Sequence, residues 1–412
     1  MALNYIWLSF FVISFFVALA KTFIWGDLSV FPAMTEALFE MAKVGASLSL
    51  GFIGGMALWL GIMRIGEKGG AVAVLSRLVA PFFSRLFPDV PKDHPAHGSI
   101  VMNFSANLLG LDNAATPLGL KAMKELQELN PLKDTASNAQ IMFLVLNTSG
   151  LTIIPVSVMI LRSSPPFNAP NPADIFIPIL IATYCSSFVG LLVTSLIQRI
   201  NLFQGPVLLW LIGMTTFITG TAVYFQSLTQ GAMQAQSAVF AALFIFSIIV
   251  GFLVLAVMRG INVYEEFVEG AKEGFGVAVK IIPFLVAMLV AVGVFRASGS
   301  LDGITDSLKA GVGITRTDDR WVDAVPTALM KPLSGSGARG MASEAMENYG
   351  VDSFQGRLAC TFQGSTETTF YVLAVYFGSV GIRKTRYALT AGLTADFAGI
   401  LAAIFVAYAF FG

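Results

Sequence analysis

The segment QGSTETT, residues 363–369, is seven consecutive residues without an aliphatic or aromatic side chain, set between RLACTF and FYVLAVYF. It supplies an amide (Gln363), a carboxylate (Glu367) and the hydroxyls of Ser365, Thr366, Thr368 and Thr369. Such groups can hydrogen-bond a polar solute, hold Na+ through oxygen atoms, or carry a proton on the acid. An acid at the centre of a membrane helix costs about 2.5–3.5 kcal/mol. Glu367 therefore needs a reason: proton or cation coupling, contact with a substrate amine, or a salt bridge to a buried arginine such as Arg339. A second polar run, NTSGLT, places Asn147, Thr148, Ser149 and Thr152 in the middle of another apolar stretch. One amide and several hydroxyls suit a neutral polar solute, or Na+ with backbone carbonyls.

Other candidates lie in two Gly-, Asn-, Ser- and Pro-rich segments, about 94–128 and 321–347. Asn103 and Asn107 are four apart, on one helical face, as a polar cavity lining requires. Asn113 follows Asp112 in GLDNAATP, where either residue is a substrate contact or the cap of a second half-helix. The tip SGSGAR brings Ser334, Ser336 and Arg339 together with Gly335 and Gly337. Its successive N–H groups form an anion-binding nest on one reading and a close-packed turn on the other. Asp396, in LTADFAG, is a second intramembrane acid, a proton site or a partner of Arg357. Asp134 and Asp352 stand at the starts of apolar stretches and read as helix caps. His94 and His97 are three apart but no Cys or acid cluster joins them, so they read as interfacial residues and no metal is expected. Cys185 and Cys360 sit in apolar segments and read as small core residues.

These residues need elements to hold them. Of the 412 residues 56% are hydrophobic and 12% charged, and the mean hydropathy is +0.76. Soluble domains carry about 25% charged residues, so the composition implies an all-α integral membrane protein. Net charge is zero, which gives no reason to expect nucleic acid as a partner. Apolar stretches long enough to cross a bilayer are about 3–20, 44–65, 173–197, 203–225, 237–258, 276–296 and 387–411. Two more, about 136–161 and 356–381, are polar in the middle. About nine transmembrane helices are thus expected, with 94–128 and 321–347 as re-entrant hairpins. The stretches 31–43 and 261–274 read as separate interfacial helices. Lysine and arginine cluster at 64–92, 121–133, 199, 259 and 383–386, while the loops 163–172 and 226–236 have none. That distribution predicts a cytoplasmic N-terminus and a periplasmic C-terminus.

The halves repeat the same order: an interfacial helix ending EMAK or EGAK, an apolar span, a hairpin, then a polar-centred span. Five expected crossings between the repeat starts make them inverted. The predicted divisions are 1–30, a first helix; 31–200, repeat one; 201–260, linking helices; and 261–412, repeat two. Inverted repeats with helices broken near the midplane are a mark of secondary transporters. In hydrocarbon a broken helix survives only when buried in protein or lining a wet cavity. The expectation is that both breaks and both hairpin tips meet at one site.

The string from EKGGAVAVLSRL through NLLGLDNAATPLGLKAM to FLVLNTSGLTIIP resembles the spore maturation protein A family. VYEEFVEGAKEGFGVAV, KPLSGSGARG and FQGSTETTFYVLAVYFGSVGIRKTRYAL resemble the spore maturation protein B family. Together they cover nearly the whole chain, as in a fusion of the two. Each half resembles the nucleoside-recognition, or Gate, domain, which also occurs in concentrative nucleoside transporters and in ferrous iron transporters. The resemblance implies a protein of the bacterial inner membrane with transporter architecture. No GxxxxGK[ST] motif and no Ser-His-Asp or metal-hydrolase pattern occurs, so neither direct use of ATP nor an enzyme is expected. The expected function is transport of a small polar solute, nucleoside-like or amino-acid-like, by alternating access. No cofactor is expected; Na+ or H+ is the expected coupling ion, at Glu367 or Asp396. The alternatives are an ion transporter or channel, and an envelope protein of spore maturation acting through a partner. Expected partners are the substrate, membrane lipids and further copies of the chain in a homo-oligomer.

Overall fold

A computed structural model describes residues 2–109, 112–313 and 318–412. The described residues are helical nearly throughout and form no strand; one isolated bridge joins Thr135 to Lys384. In chain order the helices are α1 (Ala2–Trp25), α2 (Val30–Lys68), α3 (Ala71–Leu86), α4 (Ala96–Leu108), α5 (Asp112–Leu129), α6 (Asn138–Ser149), α7 (Val156–Ser163), α8 (Phe176–Gln198), α9 (Gly205–Gln226) and α10 (Gln230–Met258). They continue with α11 (Val263–Ala297), α12 (Ser300–Gly313), a 3-10 turn (Arg320–Ala324), α13 (Val325–Met330), α14 (Gly335–Tyr349), α15 (Phe354–Gly364), α16 (Thr369–Ser379) and α17 (Ala388–Phe411).

Six of these helices are long and apolar enough to cross a bilayer, and Leu285–Ala297 with Ser300–Gly311, bent by 66°, would make a seventh. The protein is thus a multi-pass, all-α membrane protein. Two expectations change. The stretches 31–43 and 261–274 are not separate helices: they run unbroken into α2 and α11, which have 39 and 35 residues. No Gly-Pro or turn signal separates the two parts, so the backbone hydrogen bonds continue. At 1.5 Å per residue α2 is about 58 Å long, nearly twice a hydrocarbon core. The two polar-centred spans are broken, as expected: α6 and α7 are separated by 150–155, and α15 and α16 by 365–368. Both expected hairpins are pairs of half-helices, α4 with α5 and α13 with α14. The order α2, α3, α4–α5, α6–α7, α8 is repeated as α11, α12, α13–α14, α15–α16, α17.

The chain divides into two compact units that do not follow this repeat. One holds 1–58, 157–172 and 272–363; the other holds 59–156, 173–271 and 364–412. The chain passes from one unit to the other at both breaks, after Val156 and after Gln363.

In the first unit α2 and α11 approach closely because Gly45 lies against Val286. Arg162 is fully buried; its Nη1 donates to Val351 O at 2.8 Å and its Nη2 to Asp352 Oδ1 at 3.0 Å. Arg357 also pairs with Asp352, at 3.4 Å. Asp352 is therefore an ion-pair residue and not the cap expected of it; Ser353 Oγ instead accepts from Gly356 N at 2.9 Å. Glu344 on α14 pairs with Arg296, and Asp323 pairs with Lys309 at 2.7 Å.

In the second unit α8 and α17 pack along a stripe of small residues. Ala395 and Gly399 of α17 meet Gly190 and Ser186 of α8 at distances only small side chains allow. Ser137 and Gln140 form a capping box that starts α6. Asp134, the residue expected there, pairs with Lys384 at 3.1 Å instead. Asp134 O also accepts from the N–H groups of Arg383 and Lys384, both at 2.9 Å, so the starts of α6 and α17 are tied together. The Asp134 carboxyl lies below its ordinary range, first because Thr135 donates to it and next because of Lys384.

Candidate functional site

α6 ends where Gly150 turns into the left-handed region, with φ +55°. Asn147 lies just before that end. Its Nδ2 donates to Phe143 O at 2.8 Å, and its Oδ1 accepts from Asn107 Nδ2 at 2.8 Å and from Tyr376 OH at 3.4 Å. Asn103, one turn before Asn107 on α4, is fully buried and donates to Ala115 O at 2.8 Å. Four elements thus meet through polar groups: side chains of α4, the end of α6 and α16, and the Ala115 carbonyl at the start of α5. The expected shared face of Asn103 and Asn107 exists, with different roles for the two. Asn103 ties the hairpin together; Asn107, half-buried, reaches Asn147.

The second break brings in the acid. Glu367 N donates to Thr148 O at 2.8 Å, so a backbone bond joins the two breaks directly. The Glu367 side chain runs beside Gly150, where a Cβ would lie 2.9 Å from its Cγ. Of the readings offered for Glu367, its burial and the alternative of a salt bridge to Arg339 need correction. Glu367 is exposed, and its carboxylate has no hydrogen-bond or ion-pair partner among the described residues. It sits in the non-helical break between α15 and α16, on the wall of a cavity. Arg339 belongs to the other unit, with its guanidinium 5.6 Å from the centre of the Phe52 ring.

Glu367, Asn107, Asn147 and Thr116 line a cavity of about 320 Å³, and Tyr371, Tyr376, Val372 and Val375 of α16 complete it. Within it, Asn107 Oδ1 and the Glu367 carboxylate are acceptors with no protein donor among the described residues. The tyrosine rings and the two valines give apolar walls with phenolic tips. Such a cavity can hold a small solute that presents donors to an amide carbonyl and a carboxylate.

The remaining candidates do not join it. The hydroxyls of Thr148 and Ser149 turn back onto Val145 O and Leu146 O, at 3.0 and 3.3 Å. Ser365, Thr366 and Thr368 are buried; Thr366 packs against Gly399, and its Oγ1 has no hydrogen-bond partner among the described residues. Asp396 is buried and accepts from Thr369 Oγ1 at 2.7 Å. Its expected partner Arg357 is taken by Asp352 in the other unit. Asn113 and Asp112 lie outside the residues whose side chains are described. Ser334 caps α14, accepting from Gly337 N at 3.0 Å, and its hydroxyl lies 3.2 Å from that of Ser336. Gln363 Nε2 donates to Gly335 O at 3.4 Å, while its buried Oε1 has no hydrogen-bond partner among the described residues. The tip and Gln363 thus form a second polar cluster, in the first unit. His94 Nδ1 accepts from Ala96 N and His97 Nε2 lies 3.2 Å from Val90 O, so both serve the local turn.

Tyr371, Tyr376 and Thr116 were not singled out from the sequence. The two tyrosines sit in FYVLAVYF, an otherwise apolar run, and a tyrosine in such a run calls for a partner for its hydroxyl.

The class of protein defined here is an all-α membrane protein with two half-helix hairpins and two broken helices, and with a polar cavity lined by α4, α5, α6, α16 and the break before α16 in the second unit. The family profile described as "Gate: Nucleoside recognition" matches residues 49–164 and 278–383, and each matched segment contains one hairpin and one break. The chain belongs to this nucleoside-recognition family of membrane proteins. Curated relatives are spore maturation protein B of Bacillus subtilis (strain 168), 49% identical over 168 residues, and spore maturation protein A of the same organism, 40% identical over 190 residues. The first match spans 40% of this chain and 91% of the relative; the second spans 46% and 92%.

Proposed function

We propose that the protein is a secondary transporter that moves a small polar solute, nucleoside-like or amino-acid-like, across the bacterial inner membrane. The observation that carries this reading is the 320 Å³ cavity at the joined breaks, lined by Glu367 and Asn107, whose carboxylate and amide oxygen have no hydrogen-bond donor among the described residues. Its volume falls at the lower end of the range for small-molecule sites. A solute bearing hydroxyl or amino donors on an apolar ring or chain satisfies both acceptors. The helix breaks at 150–155 and 365–368 are the flexible joints that alternating access needs. Glu367 or Asp396 carries the coupling H+ or Na+. The N-terminus is cytoplasmic and the C-terminus periplasmic, the chain catalyses no covalent chemistry, and it works as a homo-oligomer.

Purified protein in proteoliposomes should accumulate at least one labelled nucleoside or amino acid under an imposed H+ or Na+ gradient. Gradient-independent flux of an inorganic cation, with no organic solute moved, would favour the ion-transporter reading. If nothing moves and no solute raises the melting temperature, the reading suggested by the relatives' names gains: a role in spore maturation through a partner.

A further inference from the structure

A second groove, of about 560 Å³, lies between α3 and the start of α4 in the second unit. Arg77, Arg85 and Lys92 line it, over a base of Ala80, Val101 and Met102. All three cations are exposed, and none pairs with an acid among the described residues. The nearest acids in sequence, Asp89 and Asp93, are exposed too, and Asp89 lines a different cavity. Three unpaired positive charges beside one groove repel one another, which an anion relieves.

The level of the groove in the membrane decides which anion. Phe82 of α3 stacks on Trp210 of α9, with ring centres 4.4 Å apart. Trp210 is the sixth residue of a membrane-spanning helix that begins at Gly205. Five steps of 1.5 Å place it about 8 Å in from that end, the depth at which membrane tryptophans gather beside lipid headgroups. α3 is a short amphipathic helix of 16 residues, and Phe82 ties its C-terminal half to that level. Val74 and Leu78, 50% and 76% exposed, leave it an apolar face without protein cover. Water-facing positions would not select those side chains; acyl chains do.

We propose that this groove binds an anionic phospholipid. Arg77, Arg85 and Lys92 hold the phosphate and headgroup, and Ala80, Val101 and Met102 lie under the upper part of an acyl chain. The groove is separate from the transport cavity, so the lipid is a bound component and not cargo. Basic pockets beside membrane helices select anionic headgroups in this way.

The test uses the full chain in a neutral detergent. Native mass spectrometry follows retention of phosphatidylglycerol against phosphatidylcholine with the same acyl chains. The wild type should retain phosphatidylglycerol preferentially, and each charge removed should lower the retention ratio about fivefold. Arg77→Gln/Arg85→Gln/Lys92→Gln should therefore abolish the preference, while Arg77→Lys/Arg85→Lys keeps most of it. These side chains are exposed, so elution as a single monodisperse peak checks folding, and Arg85→Gln alone serves if the triple variant is lost. Equal retention of both lipids, or a preference unchanged in the variants, overturns the proposal. Displacement of phosphatidylglycerol by inorganic phosphate at millimolar concentration also overturns it, by assigning the groove to a soluble anion.

Discussion

Replacing Asn147 by alanine removes three contacts at once, and their geometry says which of them matter. Phe143 O keeps its place in the α6 ladder, so losing the 2.8 Å bond from Asn147 Nδ2 leaves it satisfied. The 3.4 Å contact with Tyr376 OH is near the limit of a hydrogen bond. The 2.8 Å bond from Asn107 is the loss that counts. A neutral bond contributes about 0.5–1.5 kcal/mol net, and Asn107 borders a cavity where water can replace the partner. The expected stability loss is about 1 kcal/mol. Binding should suffer more, because Asn107 is no longer held with its carbonyl toward the cavity. The expected loss of about 1–3 kcal/mol corresponds to a 5- to 150-fold rise in Kd. Titration calorimetry with a solute identified by transport, on wild type, Asn147→Ala, Asn107→Ala and the double variant, measures the coupling. It should be about 1 kcal/mol. Effects that add to within about 0.3–0.5 kcal/mol would mean that the two amides are independent. The cavity would then not be the binding site.

Glu367→Gln keeps shape and hydrogen bonding while removing the charge. It should retain solute exchange across vesicles but fail to accumulate solute against a gradient, with exchange no longer varying with pH; full pH-dependent accumulation would move the coupling site to Asp396. Gly150→Ala places a methyl group at φ +55° and 2.9 Å from Glu367 Cγ; it should cost about 1–2 kcal/mol of stability and displace Glu367, weakening solute binding, and unaltered Kd and melting temperature would refute that packing. Arg162→Ala should cost about 3 kcal/mol, read as a large fall in melting temperature. That is the lower end for breaking a buried pair, because Asp352 is 39% exposed and can be rehydrated. For topology, a cysteine at Asn168 should react with an impermeant thiol reagent from the periplasm and one at Lys68 should not. Both positions are exposed, and labelling of both from one side would remove the basis for inverted repeats.

Much of the architecture follows from the sequence because bilayer physics leaves few choices. Twenty apolar residues must form a helix to satisfy their backbone, so α1, α8, α9, α10 and α17 are legible one by one. A run such as QGSTETT, with no apolar side chain and a glycine, weakens a helix locally, so both breaks are legible as well. So are the two hairpins, from their small residues and their turn chemistry. The lengths of α2 and α11 were not, because an amphipathic stretch followed by an apolar one looks like two helices unless a breaker lies between them. Neither were the caps at Ser137 and Ser353: Asp134 and Asp352 were equally good candidates until long-range cations, Lys384 in one case and Arg162 with Arg357 in the other, claimed them.

Which polar residues meet was decided by tertiary structure alone. The sequence placed Asn147 and Glu367 in separate spans 220 positions apart and treated all four polar segments as one site. In the fold, α6 and α16, the first half of one broken span and the second half of the other, belong to the same unit. That pairing brings Glu367 N to Thr148 O and Tyr376 to Asn147. It leaves Gln363, only four residues from Glu367, in the other unit with Ser334 and Gly335. Helical periodicity fixes which residues share a face within one element. It carries no information on which broken half packs against which, because that depends on side-chain packing between segments far apart in the chain.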